Sequence, residues 1–111
     1  MEVKSFASQK TIEIIKNQIN KNKILLYMKG SEKMPQCGFS ARAVSIIQSY
    51  KKPFFTVNIL ENPDIRLVLP KYSNWPTFPQ LYIEKELIGG CDIIVEMHED
   101  GTLRDTIDNI K

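Results

Sequence analysis

Apolar positions recur along this chain in two rhythms. In residues 5–20, Ile12, Ile15 and Ile19 fall on one face of a helix, with Lys10, Glu13, Lys16 and Asn20 mostly off it. After the polar break Asn20-Lys21-Asn22-Lys23, residues 24–28 form a short continuous apolar run. Such a run predicts a strand buried on both faces, as in a parallel pair. Gly30, Ser31 and Pro35 mark residues 29–36 as a loop. A second helix is expected from about Cys37, with Ala43, Val44, Ile47 and Tyr50 as its buried stripe and Lys51-Lys52-Pro53 as its stop. Residues 54–58 are rich in aromatic and β-branched side chains and predict a second strand. Strand, helix and strand at this spacing make a parallel crossover, which is almost always right-handed.

Asn62-Pro63-Asp64 starts a third helix: a cap, a proline at the first helical position and an acid in the first turn. Ile65, Leu67, Val68 and Leu69 are its apolar residues, and Pro70 should end or kink it. An irregular loop over residues 71–79 follows. Gln80-Leu81-Tyr82-Ile83, Glu84-Lys85 and Glu86-Leu87-Ile88-Gly89 then read as an antiparallel hairpin at one edge of the sheet. Gly89-Gly90-Cys91-Asp92 turns into a helix with Asp92 as N-cap, and Gly101 ends it. Thr102 caps a last helix, with Asp105 three residues on and Leu103, Ile107 and Ile110 facing inward. The sum is an α/β fold: a mixed four-stranded sheet flanked by helices, in a single domain over residues 1–111.

Composition narrows the partners. The 111 residues are 42% hydrophobic and 25% charged, enough to bury a core without staples. The net charge is +2 and the lysines are interspersed with acids and amides, which argues against nucleic acid as the main partner. No apolar run approaches a membrane span, and residues 1–10 lack a signal-peptide core. The expectation is a complete cytoplasmic protein whose two cysteines are free thiols.

The chemistry centres on Met34-Pro35-Gln36-Cys37-Gly38-Phe39-Ser40. A thiol at a helix N-terminus, near a cation such as Lys29, has its thiolate favoured; the bland alternative is a small apolar filler. A redox pair would carry its second cysteine three residues on, where this chain has Ser40. Cys37 therefore cannot close a disulfide within the motif. Cys91 is the other internal thiol, either a resolving partner or a small turn residue. Lys29 and Arg66 are either carboxylate-binding cations or surface charges. Trp75 and Phe78 are either ligand contacts or loop anchors. His98, flanked by acids late in a helix, is given no ligand role.

Lys29-Gly30, Cys37-Gly38-Phe39-Ser40, Trp75-Pro76-Thr77-Phe78-Pro79 and Gly89-Gly90-Cys91-Asp92 together resemble the glutathione-site motifs of the monothiol glutaredoxins, the Cys-Gly-Phe-Ser class. The likeness runs from about Thr11 to Ile110. The resemblance implies a thioredoxin-like fold, glutathione binding and a 2Fe–2S cluster held between two subunits. It assigns Cys37 as reactive thiol and cluster ligand. Lys29 and Arg66 fall to the glycine carboxylate of glutathione, Phe78 before a cis Pro79 to its backbone, and Cys91 and Asp92 to its γ-glutamyl end. A 2Fe–2S cluster usually takes four thiolates. Two Cys37 thiolates and two glutathiones supply them in a cluster-bridged homodimer. Implied partners are BolA-like proteins and apo iron–sulfur acceptors. The alternative is an enzyme, a glutathione-dependent thiol–disulfide oxidoreductase acting through Cys37 alone. The residues added by the 29–36 loop are associated in this class with altered glutathione geometry and weak reductase activity, which favours cluster carriage.

Overall fold

The computed structural model describes residues 6–111. In chain order the elements are α1 (Phe6–Lys21), β1 (Ile24–Met28), α2 (Gly38–Ser49), β2 (Phe55–Asn58), α3 (Pro63–Ser73), β3 (Gln80–Ile83), β4 (Glu86–Gly89), α4 (Cys91–Asp100) and α5 (Thr102–Asp108). Ser5, expected to open α1, lies outside the described residues. The sheet order is β2-β1-β3-β4, with β1 parallel to β2 and the other pairs antiparallel. The crossover and the edge hairpin are thus both present. Among the described residues no helix is long and apolar enough to cross a membrane.

β1 lies inside the sheet and all five of its residues are buried. Alternation along the strand sends its side chains to two cores. Leu25 and Tyr27 join Ile15 and Ile19 of α1 and Ile65 and Leu69 of α3. Ile24, Leu26 and Met28 join Val44 and Ile47 of α2, Ile94 of α4 and Leu103 and Ile107 of α5. The continuous apolar run of 24–28 is the sequence trace of a strand covered on both sides. A bond from Thr11 Oγ1 to Asp64 Oδ2, 3.1 Å long, ties α1 to α3. Three layers around this sheet order make a thioredoxin-like fold.

Several local expectations are corrected. Pro70 neither ends nor breaks α3, which continues to Ser73. Termination comes from Asn74 in the left-handed conformation (φ 55°), with Trp75 N bonded to Pro70 O and Asn74 N to Lys71 O. That Schellman-type end uses carbonyls a proline still possesses, so the missing N–H at residue 70 is tolerated one turn before the stop. Asn62 does cap α3 by position, but its side chain bonds back to Asn58 O instead of to the helix. Asp92 is not the cap of α4; Gly90 is, and Asp92 falls in the first turn. Likewise Gly101 (φ 89°) both closes α4 and caps α5. Thr102 instead gives its N–H and hydroxyl to Asp100 Oδ1 at 2.9 and 2.6 Å. Phe54 precedes β2 and packs against the core.

Candidate functional site

Every element end that carries a candidate residue converges on one edge of the molecule, the carboxyl end of β1 and β2, where open α/β sheets bind ligands. Cys37 is the N-cap of α2, in extended conformation, and its carbonyl accepts the first helical bond from Ala41 N at 2.9 Å. Its sulfur makes no full capping bond. The amide N–H of Ser40 nevertheless points at it and, first among the causes, pulls its pKa below the ordinary 9.0. The Phe39 amide, the Lys29 cation and the Ser40 hydroxyl act in the same direction, against a partial desolvation. The physical source is the unpaired donors and positive end of the helix.

Ser40 has a second duty that the sequence does not advertise. It is fully buried, and its Oγ accepts the Lys29 N–H at 3.0 Å. The hydroxyl therefore staples the end of β1 to the first turn of α2. The 29–36 segment is more ordered than its breakers suggest. Ser31 and Met34 exchange backbone bonds of 3.1 and 3.2 Å, and Gln36 N reaches Lys29 O at 2.9 Å. Gly30 closes this turn at φ 94°, where a Cβ would lie 2.5 Å from both Gln36 N and Met34 O. No other residue fits there.

The opposite wall begins at the end of α3. The Schellman-type turn delivers Trp75 directly to the site, and the Phe78–Pro79 peptide is cis. Gln80, fully buried at the start of β3, holds this loop from beneath. Its Nε2 donates to Trp75 O (2.9 Å) and Thr77 O (3.3 Å), while its Oε1 accepts the Tyr82 hydroxyl at 3.0 Å. Tyr82 in turn stacks edge-on against Tyr27, whose hydroxyl bonds Gln18 of α1. The loop is thus braced through the sheet to the far helix layer. Gln80 escaped the sequence reading; its one signal was an amide at the head of an otherwise apolar strand, directly after proline.

Between these walls runs a groove of about 490 Å³. Lys29, Arg66, Phe78, Cys91 and Asp92 all line it, together with Phe39, Trp75 and Thr77. Cys37 does not line the groove; it stands at its mouth, in an adjoining concavity of about 610 Å³ that shares Phe39, Cys91 and Asp92. All six residues singled out from the sequence are therefore brought together. Cys37 and Cys91 are both free thiols, close enough for the charge of Cys37 to be felt at Cys91. Burial, reinforced by Asp92, pushes Cys91 upward while Cys37 is pulled down. Phe39, exposed beside the thiol, was quoted only as part of its motif; its position off the buried stripe of α2 was the available signal. His98 lies outside this cluster, its Nδ1 2.6 Å from the Tyr50 hydroxyl. Two cations, one carboxylate and the N-terminus of α4 thus meet in one groove, a set able to hold carboxylates and an amine.

Fold and site together define a thioredoxin-like protein with a half-buried thiol of lowered pKa beside a charged groove. The family model for Glutaredoxin matches residues 24–88, more than half of the chain, and the chain belongs to that family. It is 67% identical over 93 residues to Glutaredoxin 4 of Haemophilus ducreyi, covering 84% of this chain and 87% of that one. Glutaredoxin 4 of Escherichia coli K12 is 59% identical over 97 residues, covering 87% and 84%. Among solved structures, reduced apo GrxS14 of poplar aligns with a TM-score of 0.77 at 45% identity, over 89% of this chain and 91% of that chain. A buckwheat glutaredoxin–glutathione complex aligns with a TM-score of 0.84 at 20% identity, over 97% and 96%, a likeness of fold.

Proposed function

We propose that this glutaredoxin is of the monothiol class, one domain over the whole chain, and that it binds glutathione in the groove. Lys29 and Arg66 would take the glycine carboxylate, Phe78 the peptide backbone, and Cys91 and Asp92, at the start of α4, the γ-glutamyl end. Its cargo would be a 2Fe–2S cluster, held by Cys37 and glutathione from each of two subunits and passed to apo iron–sulfur acceptors, with a BolA-like protein as alternative partner in the cytoplasm.

The observation that carries this reading is Ser40. Its hydroxyl is buried and committed to Lys29 N, so position 40 serves the fold and Cys37 stands as a lone, half-buried thiol whose anion is favoured. Among the described residues no three His, Cys, Asp or Glu side chains gather into a metal-holding group. Cys37 from each of two chains supplies two of a cluster's four thiolates; Cys91, whose pKa is raised, is the poorer donor, and glutathione in the groove would supply the other two. A cluster half-held by diffusible thiols exchanges readily, which suits a carrier.

The second reading, reduction of glutathionylated thiols, draws on the same lowered pKa. The Cys37 thiolate would attack the glutathionyl sulfur and release the client thiol. A second glutathione thiolate would then regenerate Cys37 and leave glutathione disulfide. Anaerobic reconstitution with iron and sulfide separates the two readings. The expected result is visible absorbance and a dimer by sedimentation with glutathione, and neither without it. Colour that forms equally without glutathione refutes the ligand set; a colourless monomer with fast glutathione-dependent turnover favours the enzyme.

A further inference from the structure

Among the described residues one buried side-chain polar atom lacks a hydrogen-bond partner: the indole Nε1 of Trp75. It is buried away from bulk solvent. What it faces is Gly90. A Cβ at that position would lie 3.3 Å from Nε1, 3.8 Å from Cζ2 and 3.3 Å from the Pro79 carbonyl oxygen. The pyrrole edge of the indole thus rests in a notch that exists because residue 90 has no side chain. Gly90 has φ −99°, a conformation open to any residue, so the notch and not the backbone is what glycine provides there.

An N–H buried without an acceptor keeps its full desolvation cost. Any rotation that gives it a partner recovers that cost. The backbone around the ring is pinned: Trp75 N is bonded to Pro70 O, and Trp75 O to the Gln80 amide. A turn that gives Nε1–H a partner is therefore one of the side chain and not of the loop. Trp75 and Gly90 both line the groove, so a turned indole presents Nε1–H to whatever occupies it.

We propose that Trp75 is a positioning residue for the peptide ligand: its indole leaves the Gly90 notch on binding and donates Nε1–H to a carboxylate or amide oxygen of glutathione. This rests on the reading of the groove as a glutathione site. The free protein holds the donor unsatisfied, so binding gains both the new bond and relief of that cost.

Trp75 is the sole tryptophan, so its emission reports the move without interference. Reduced glutathione is titrated into the apo protein, followed by fluorescence and by calorimetry. A saturable change in emission is expected with the same Kd as the heat. Trp75→Phe, which removes the donor, should bind about 5- to 10-fold more weakly, the worth of one hydrogen bond. Replacing Trp75 by benzothienylalanine keeps the ring shape and removes only the N–H; it should weaken binding equally while leaving the urea midpoint of the free protein unchanged or higher. Gly90→Ala fills the notch and should move the emission of the free protein toward its bound value. Wild-type binding with an unaltered emission, or a benzothienyl variant that binds within twofold of wild type, overturns the role of Trp75 and leaves the glutathione reading standing. Wild type that binds no glutathione overturns both.

Discussion

At the scale of single residues, the two thiols are driven apart by their surroundings although they share one concavity. Cys37 sits where helix amides favour the anion; Cys91 is partly buried beside Asp92, where the anion is disfavoured. Alkylation by iodoacetamide follows thiolate concentration. The Cys37 rate should therefore titrate with a midpoint below the ordinary 9.0, and the Cys91 rate above it, as resolved by mass spectrometry of the two peptides. Coincident midpoints would contradict the asymmetry. The same shifts bear on stability in opposite senses. A lowered thiol pKa contributes stability that is full above the unfolded value and fades as pH falls through the folded one. A raised pKa contributes stability below the unfolded value that is lost as pH rises through the folded one. Cys37 was legible from sequence because a helix start is a pattern, and the pattern states the electrostatics. Ser40 was legible only as an absence. Its bond to Lys29 N joins positions eleven residues apart in different elements, and no local periodicity encodes such a contact.

At the scale of elements, the decisive one is the loop from Asn74 to Pro79 and the strand that supports it. The strands and the pairing within the crossover and within the hairpin followed from apolar runs, because burial writes itself into residue type; the β1–β3 pairing that joins them did not. Helix ends followed less well. Pro70 and Thr102 carry strong stop and start preferences, but the αL residues Asn74 and Gly101 set the observed ends, since left-handed geometry satisfies several terminal groups at once. The support under the loop was hidden for another reason: an amide in a strand looks like a solvent-facing residue until its carbonyl partners are placed. Gln80→Glu tests that support with almost no change of shape. The carboxylate has no N–H to give, so the Trp75 and Thr77 carbonyls lose their donor and face a buried anion. A loss of about 2–4 kcal/mol in urea unfolding is expected at neutral pH, with weaker glutathione binding by calorimetry. If the variant matches wild type in both, the loop does not depend on Gln80.

At the scale of the whole molecule, the proposed dimer makes a demand on the exposed surface around the thiol. Phe39 is 64% and Met34 66% exposed, and both lie in the segment that carries the thiol. The cluster-bridged dimer proposed above would cover these two side chains. The chain carries a net charge of only +2, so two copies do not repel strongly and a symmetric approach is allowed. In a cluster-bridged dimer Phe39 would lie near the two-fold axis, because it adjoins Cys37 in sequence and in the shared concavity. Phe39→Glu should then place two like charges at the interface. Its own fold should hold within about 0.5 kcal/mol, since an exposed side chain is being exchanged for another. The lowered pKa of Cys37 should rise somewhat, because a carboxylate beside it opposes the thiolate. Reconstituted with iron, sulfide and glutathione, the variant should lose its visible absorbance several times faster than wild type and sediment as a monomer. Phe39 also lines the groove, so glutathione binding to the apo monomer should weaken as well, and colour and sedimentation are compared at saturating glutathione. A variant that keeps its colour and its dimer would move the subunit contact away from α2 and leave Phe39 to a different partner.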